Sequence, residues 1–374
     1  MKRFFNLCAT VTALLATVCS CGGGSDSDDA TDVSSYTIAG SVSEISVNYT
    51  DTVYVVSVTA SREWTAYSND DWMTCTCTGT TSTSGTVSIS IEANSDTEER
   101  EGSIVLKAGT VRSQITVTQA AHPELEVDDS IEVPDGYKLV WHDEFDDESL
   151  TMPDEDLWYY EVWAPGTVNN ELQRYVAGQL NGELTAEVSD GTLKIYAKKV
   201  GDEVISARLN TYESWKYGYI EARLKLPTGL GTWPAFWMLP YNYTTWPDDG
   251  EIDIMEEVGY NPNYVSSSIH CLAYYHSIGT QKTKETYVDG AQTEFHTYAL
   301  KWTSDYIRTY IDGDLFFSFA NDGEGDKDTW PFYTPFYVKL NLAWGGDWGG
   351  AQGVDESCLP ATYEIDYVRV FQEE

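Results

Sequence analysis

Alternation of apolar and charged residues with a period of two, and the lack of any sustained longer period, restricts this chain more than any other feature. Ile220, Ala222, Leu224 and Leu226 alternate with Glu221, Arg223 and Lys225, the pattern of a strand with one buried face. Tyr298 to Trp302, Tyr306 to Ile311 and Leu315 to Phe319 read as consecutive strands, with Asp312-Gly313 as a tight hairpin between the last two. No long helical period interrupts residues 137–374, so an all-β unit of two packed antiparallel sheets is expected there. Eleven of the thirteen tryptophans fall within it. That number suits both a core and a groove that stacks flat ligands.

A second, smaller all-β unit is expected over residues 36–121, rich in Thr, Ser and Val. Ser103-Ile104-Val105-Leu106-Lys107 and Ser113-Gln114-Ile115-Thr116-Val117 flank Gly109-Thr110 as a hairpin. Residues 122–136 form a charged linker. The first 35 residues read as address, not fold. Lys2 and Arg3 precede an apolar run from Leu7 to Val18, too short for a stable membrane span, so residues 1–20 are expected to be a signal peptide. Val18-Cys19-Ser20-Cys21 resembles a lipoprotein cleavage box with Cys21 as the lipidated residue. Residues 21–35, beginning Gly22-Gly23-Gly24-Ser25-Asp26-Ser27-Asp28-Asp29, form a flexible acidic tether of the kind seen on surface-exported lipoproteins of Gram-negative bacteria. The expectation is a monomer on the outer cell surface, touching membrane only through that anchor.

A formal net charge of -38 argues against nucleic acid as a partner, because phosphate neutralisation requires Lys and Arg. Beyond Cys21 only Cys75, Cys77, Cys271 and Cys358 remain, too few for a disulfide scaffold. Cys75 and Cys77 share a strand face and are not placed to bridge each other. A bridge between Cys271 and Cys358 is open. The five histidines show no transition-metal spacing, so no catalytic metal or other cofactor is expected.

The chemistry concentrates in Gly250-Glu251-Ile252-Asp253-Ile254-Met255-Glu256-Glu257-Val258-Gly259. In a regular strand Glu251 and Asp253 share a face and Glu256 takes the other. A β-bulge at Ile254 and Met255 would absorb one residue and return Glu256 to the face of the other two. Glu251 and Glu256 are then roughly 13 Å apart at their Cα atoms, at about 3.3 Å per residue. Side chains leaning inward can approach the separation of about 5–5.5 Å used in double displacement with retention. In that reading Glu251 is the nucleophile, Glu256 the acid/base, and Asp253 shares a hydrogen bond with the nucleophile and keeps the two glutamates in different protonation states. With 60 acids in 374 residues, such spacing recurs by chance about once or twice per chain. The surroundings discriminate: Ile252 and Ile254 line the opposite face, and Gly231-Thr232-Trp233-Pro234-Ala235-Phe236-Trp237-Met238-Leu239-Pro240 lies upstream.

Several long motifs in order carry a resemblance over the whole of residues 137–374: Trp141-His142-Asp143-Glu144-Phe145, Asn169-Asn170-Glu171-Leu172-Gln173-Arg174-Tyr175, the tryptophan segment, the acidic strand, and Ile365-Asp366-Tyr367-Val368-Arg369-Val370. Together they resemble the laminarinase-type branch of glycoside hydrolase family sixteen. The resemblance implies a concanavalin-like β-jelly-roll, β-glucan as substrate (β-1,3-glucan, mixed-linkage β-1,3-1,4-glucan or both) and the same three catalytic acids. It places substrate contacts at Asn170, Arg208, Trp233, Trp237, Trp246 and His270, and a structural Ca²⁺ away from the cleft at Glu144, Gly191 and Asp366, whose oxygen donors suit a hard cation. Ordinary packing is the competing reading for the tryptophans and for His270, and strand-end roles for Glu144 and Asp366.

Two residues depart from the family pattern. Glu257 stands where relatives often carry His and points toward the packed side, and Trp344 replaces a smaller apolar residue, which would reshape one end of the cleft. Trp64, Trp72, the Asn94 turn, Arg100-Glu101-Gly102 and Val117-Thr118-Gln119 resemble a BACON domain, an immunoglobulin-like module; a spacer role is favoured over sugar binding because such sandwiches commonly bury tryptophan. Two rivals remain: a family relative acting on agarose or porphyran, where a sulfated galactan would call for more basic residues, and a catalytically silent glycan-binding protein, which would have no use for paired acids.

Overall fold

The computed structural model describes residues 36–50, 52–94, 96–122, 130–147 and 151–374. The expected signal peptide, tether and Cys21 lie outside the described residues. The chain divides into two compact units at residue 124.

In the N-terminal unit two four-stranded sheets face each other. One runs in the order Ile38–Gly40, Thr52–Ala60, Ser84–Ile91, Met73–Thr78, the other Glu44–Val47, Val111–Gln119, Arg100–Ala108, Thr65–Ser68. Their inner faces supply Val56, Val58, Val87, Ile89, Ile104, Leu106, Ile115 and Val117, all essentially inaccessible. Trp64 belongs to this core. Trp72 packs against it, with the Arg100 guanidinium 4.3 Å from its ring centroid. Cys75, Cys77, Cys271 and Cys358 are all free thiols, so the bridge left open between Cys271 and Cys358 is not formed.

The C-terminal unit is a sandwich of two larger sheets. A seven-stranded sheet runs Trp158–Tyr160, Arg208–Thr211, Phe336–Trp344, Thr232–Pro240, Glu251–Glu257, Tyr264–His270, Lys282–Tyr287; a ten-stranded sheet packs against it around the strands Gly218–Lys225 and Ala361–Glu373. The strand pattern read from residues 220–226 holds: Ile220, Ala222 and Leu224 are fully buried in the core. Phe236, Met238, Ile252, Met255, Val265, Ile269, Val338, Leu340 and Leu342 form the inner face of the seven-stranded sheet. Alternation then places Ala235, Trp237, Lys339, Asn341, Asp253, Ser266, Ser268 and His270 on its outer face.

Trp344 continues the inner row after Leu342 and is 1% exposed. It therefore enlarges the core and does not reshape the cleft as the sequence reading expected. Glu257 is fully buried as well, accepting from the Asn263 N–H at 2.6 Å and from Gln292 Nε2 at 3.2 Å. Burial pushes its carboxyl up to about 7, while Gln292 and the Asn263 amide pull it down. These bonds make it a tie between the acidic strand and the following loop.

Candidate active site

The Glu251–Glu257 strand is irregular on both sides. Against Tyr264–His270 the register runs Glu251↔His270, Ile252↔Ile269, Asp253↔Ser268 and then Glu256↔Ser266, so three steps on one strand match two on the other. Against Thr232–Pro240 it runs Phe236↔Met255 and then Trp237↔Asp253. One residue has been inserted at Ile254, and Ile252, Ile254 and Met255 all reach the core. The bulge thus turns Glu251, Asp253 and Glu256 to one face, as the spacing predicted. Gly250 precedes the strand at φ +92°, where a Cβ would lie 2.9 Å from Pro331, so the approach to Glu251 requires glycine.

Asp253 sits between the two glutamates and is 3% exposed. Ligand-type atoms of Glu251, Asp253 and His270 lie within 4.8 Å of one another. His270 Nε2 is 3.3 Å from Asp253 Oδ2 and 3.9 Å from Glu251 Oε1. Trp233 Nε1 donates to Glu256 Oε1 at 3.0 Å. Burial raises all three carboxyls well above the usual carboxylate range. Asp253 raises both glutamates further, whereas His270 pulls both down, the Trp233 bond pulls Glu256 down and Arg208 pulls Glu251 down. A proton is therefore retained within the group at neutral pH, as an acid-catalysed departure requires.

The neighbouring strands extend this face. The row through Asp253 continues to Trp237, Lys339 and Asn210, and the row through Glu256 to Ala235, Asn341 and Arg208. Trp237 Nε1 donates to Asn341 Oδ1 at 2.7 Å. Its ring lies 4.7 Å from the Arg208 guanidinium and 5.0 Å from Lys339 Nζ. Glu161 is clamped between these two cations, with Arg208 Nε at 3.0 Å and Lys339 Nζ at 3.1 Å; Lys339 also donates to Asn210. Burial, reinforced by Arg208 and opposed by Glu161, draws Lys339 down to about 7.

The remaining expected contacts fall around the same face. Trp246 packs 5.8 Å from His270, with Tyr275 and His276 completing an aromatic cluster at the Glu251 end. Asn170, at φ 51°, donates to both oxygens of Asp347 at 2.9 and 3.1 Å. The adjacent Trp348 meets Trp233 edge-on at 5.4 Å. Glu161, Lys339 and Trp348 were not singled out in the sequence. Lys339 carried a signal, since it shares strand parity with Tyr337 and Asn341 amid apolar residues; Glu161 carried none, because only the long-range register brings it here.

The residues expected to hold calcium meet at one gap in the ten-stranded sheet. Thr192–Val200 leaves Ala361–Glu373 at Leu193↔Ile365, and Tyr137–Asp143 joins it at Asp143↔Val368. Continuing both registers sets Gly191 and Glu144 beside Asp366 and Tyr367. The side chains are committed elsewhere: Glu144 accepts from Arg369 through both oxygens, at 2.9 and 2.7 Å, and Asp366 accepts from Arg223. Main-chain carbonyls and a carboxylate oxygen are the kinds of donor a hard cation takes.

Comparison with known proteins agrees with this geometry. Residues 176–369 match the family of glycosyl hydrolases 16, and residues 62–120 match BACON, described as a putative binding domain. A "Beta-glucanase" of Rhodothermus marinus is 46% identical over 249 residues, covering 63% of this chain and 85% of that protein. The solved laminarinase of Rhodothermus marinus superposes with a TM-score of 0.59 at 44% identity, over 63% of this chain and 97% of that one. SCLam, described as a non-specific endo-β-1,3(4)-glucanase, superposes with a TM-score of 0.61 at 42% identity, over 65% and 94%. A chain whose jelly-roll carries three acids on one bulged strand, and which matches these relatives across the whole sandwich, belongs to glycosyl hydrolase family 16.

Proposed function

We propose that this protein is an endo-acting β-glucanase that cleaves β-1,3-glucan, mixed-linkage β-1,3-1,4-glucan or both with retention of configuration. The observation that carries the reading is the bulge that turns Glu251, Asp253 and Glu256 to one outer face. Relatives described as endo-1,3-beta-glucosidase, beta-glucanase and endo-β-1,3(4)-glucanase support the substrate class.

Glu251 attacks the anomeric carbon while Glu256, holding the retained proton, protonates the departing glycosidic oxygen. The glycosyl–Glu251 ester is then opened by water, from which Glu256, now ionised, takes a proton. Asp253 disfavours charge on either glutamate and His270 favours it on both, while Arg208 favours it on Glu251 in particular. Trp233 stabilises the ionised form of Glu256 that accumulates after the first step.

A neutral glucan is favoured over a sulfated galactan because the two cations on this face are already used internally. Arg208 and Lys339 both clamp Glu161, and the Lys339 side chain is fully buried. Neither offers the exposed guanidinium or ammonium that sulfate recognition calls for. Turnover of laminarin, barley β-glucan and lichenan with no turnover of agarose or porphyran is the expected result of a substrate panel; the reverse would overturn the assignment.

We propose three further features. Cys21 carries a lipid that holds the protein, as a monomer, at the outer cell surface. The Glu144, Gly191 and Asp366 gap holds a structural calcium ion, which when bound would pin three strands of the ten-stranded sheet and take no part in bond cleavage. Asn170 and Trp246 contact the bound sugar.

A further inference from the structure

Beyond Glu256 the outer face of the seven-stranded sheet carries two aromatic side chains that the catalytic account does not use. On Tyr264–His270, Val265 and Ile269 enter the core, so Tyr264 shares the outer face with Ser266, Ser268 and His270. On Lys282–Tyr287, Ser268 Oγ donates to Thr283 Oγ1 at 2.9 Å, which fixes Thr283, Glu285 and Tyr287 on that same face. Tyr264 and Tyr287 oppose each other directly in register, with rings 5.4 Å apart at 66°. They are 41% and 54% exposed. A pair of this kind, open to solvent and continuous with the catalytic face, presents large rigid contact area with a hydroxyl at its rim, the chemistry suited to a sugar ring.

Position gives the pair its direction. Along the Tyr264–His270 strand, His270 stands opposite the proposed nucleophile Glu251, Ser266 opposite the proposed acid/base Glu256, and Tyr264 comes two residues later. That is roughly 6.6 Å further, at about 3.3 Å per residue. Nucleophile, acid/base and tyrosine pair therefore lie in that order, and the leaving sugar departs on the acid/base side. Lys282 and Lys284 on the outermost strand add charge at the edge, a common guard against strand pairing.

Resting on the β-glucanase reading, we propose that Tyr264 and Tyr287 form an acceptor-side platform that binds the glucan segment released in the first step, and so sets preference for long chains over short ones. The test compares the full chain with Tyr264→Ala, Tyr287→Ala and Tyr264→Phe on laminarin and on an aryl β-laminaribioside, whose leaving group is too short to reach the pair. The alanine variants lower kcat/KM for laminarin about tenfold relative to the aryl substrate, mainly through KM, and Tyr264→Phe keeps the wild-type ratio within about twofold. Equal losses on both substrates with a lowered Tm would show a purely structural cross-strand pair, and an unchanged ratio would show that glucan does not reach it; either overturns the proposal. A wild-type protein inert on both substrates would instead bring down the β-glucanase reading itself.

Discussion

Trp233 Nε1 donates to Glu256 Oε1 at 3.0 Å, so the tryptophan segment and the acidic strand are joined at the group proposed to exchange the proton. The bond favours the ionised carboxylate and lowers its pKa against the pull of burial and Asp253. Trp233→Phe removes the donor and keeps a ring. The alkaline limb of kcat/KM, which reports loss of the required proton, moves to higher pH, and activity at the optimum falls about tenfold, the scale of one hydrogen bond to a charged group. A pH–rate profile of the variant checks both; an unmoved alkaline limb would separate Trp233 from the proton-transfer step.

The acid cluster costs stability where it works. Burial raises Glu256 far above its ordinary value, so the folded state holds a proton that the unfolded chain releases. The stability tied to that proton is complete below the unfolded pKa of about 4.3 and is lost as pH rises toward about 8. Glu256→Gln is neutral throughout and escapes that loss. Thermal melts should show the variant more stable than wild type at pH 7.5, by several degrees, with the gap closing near pH 4, where each kcal/mol corresponds to about 2–4 °C for a unit of this size. A constant gap across that range would contradict the linkage.

Lys339 is the least expected member of the site. Its ammonium is fully buried against Glu161 and Asn210, and Arg208 remains on Glu161 if it is removed. Lys339→Met keeps the length and takes away one of two cations holding Glu161 in place. A loss of stability on the order of 3 kcal/mol is expected, as for a broken buried ion pair, together with weaker glucan binding because Arg208 and the Trp237 ring lose their shared packing. Denaturant melts and laminarin KM measure the two effects. A variant as stable as wild type would mean that Arg208 satisfies Glu161 unaided.

Calcium is tested by thermal melts with chelator and with added CaCl₂. Bound only to the folded protein, the ion raises Tm with concentration, and Asp366→Asn flattens the response while hydrolysis persists. A Tm indifferent to chelator and to added calcium would leave Glu144 and Asp366 as ion-pair partners of Arg369 and Arg223.

How much of this was legible in the sequence follows from the range of the interactions involved. Alternation revealed the strands, and three acids at positions 251, 253 and 256 were enough to call for a bulge, because period two admits no other way to gather them on one face. Those are local consequences of backbone geometry. Lys339 meets Glu161 and Arg208 from more than a hundred residues further along the chain, and no local pattern encodes that meeting. Trp344 misled for a related reason: its neighbours resemble a cleft-lining segment, yet parity with Leu340 and Leu342 sends it into the core. Glu257 became intelligible only once Asn263 and Gln292 were seen around it.

Double displacement between Glu251 and Glu256 fixes the configuration of the first product. Proton NMR of laminarin hydrolysis, followed from the first minutes before mutarotation, should show new reducing ends as the β anomer, with Glu251→Ala abolishing the signal by roughly 10⁴-fold or more. Initial appearance of the α anomer would mean a single displacement by water and would contradict the roles given to both glutamates.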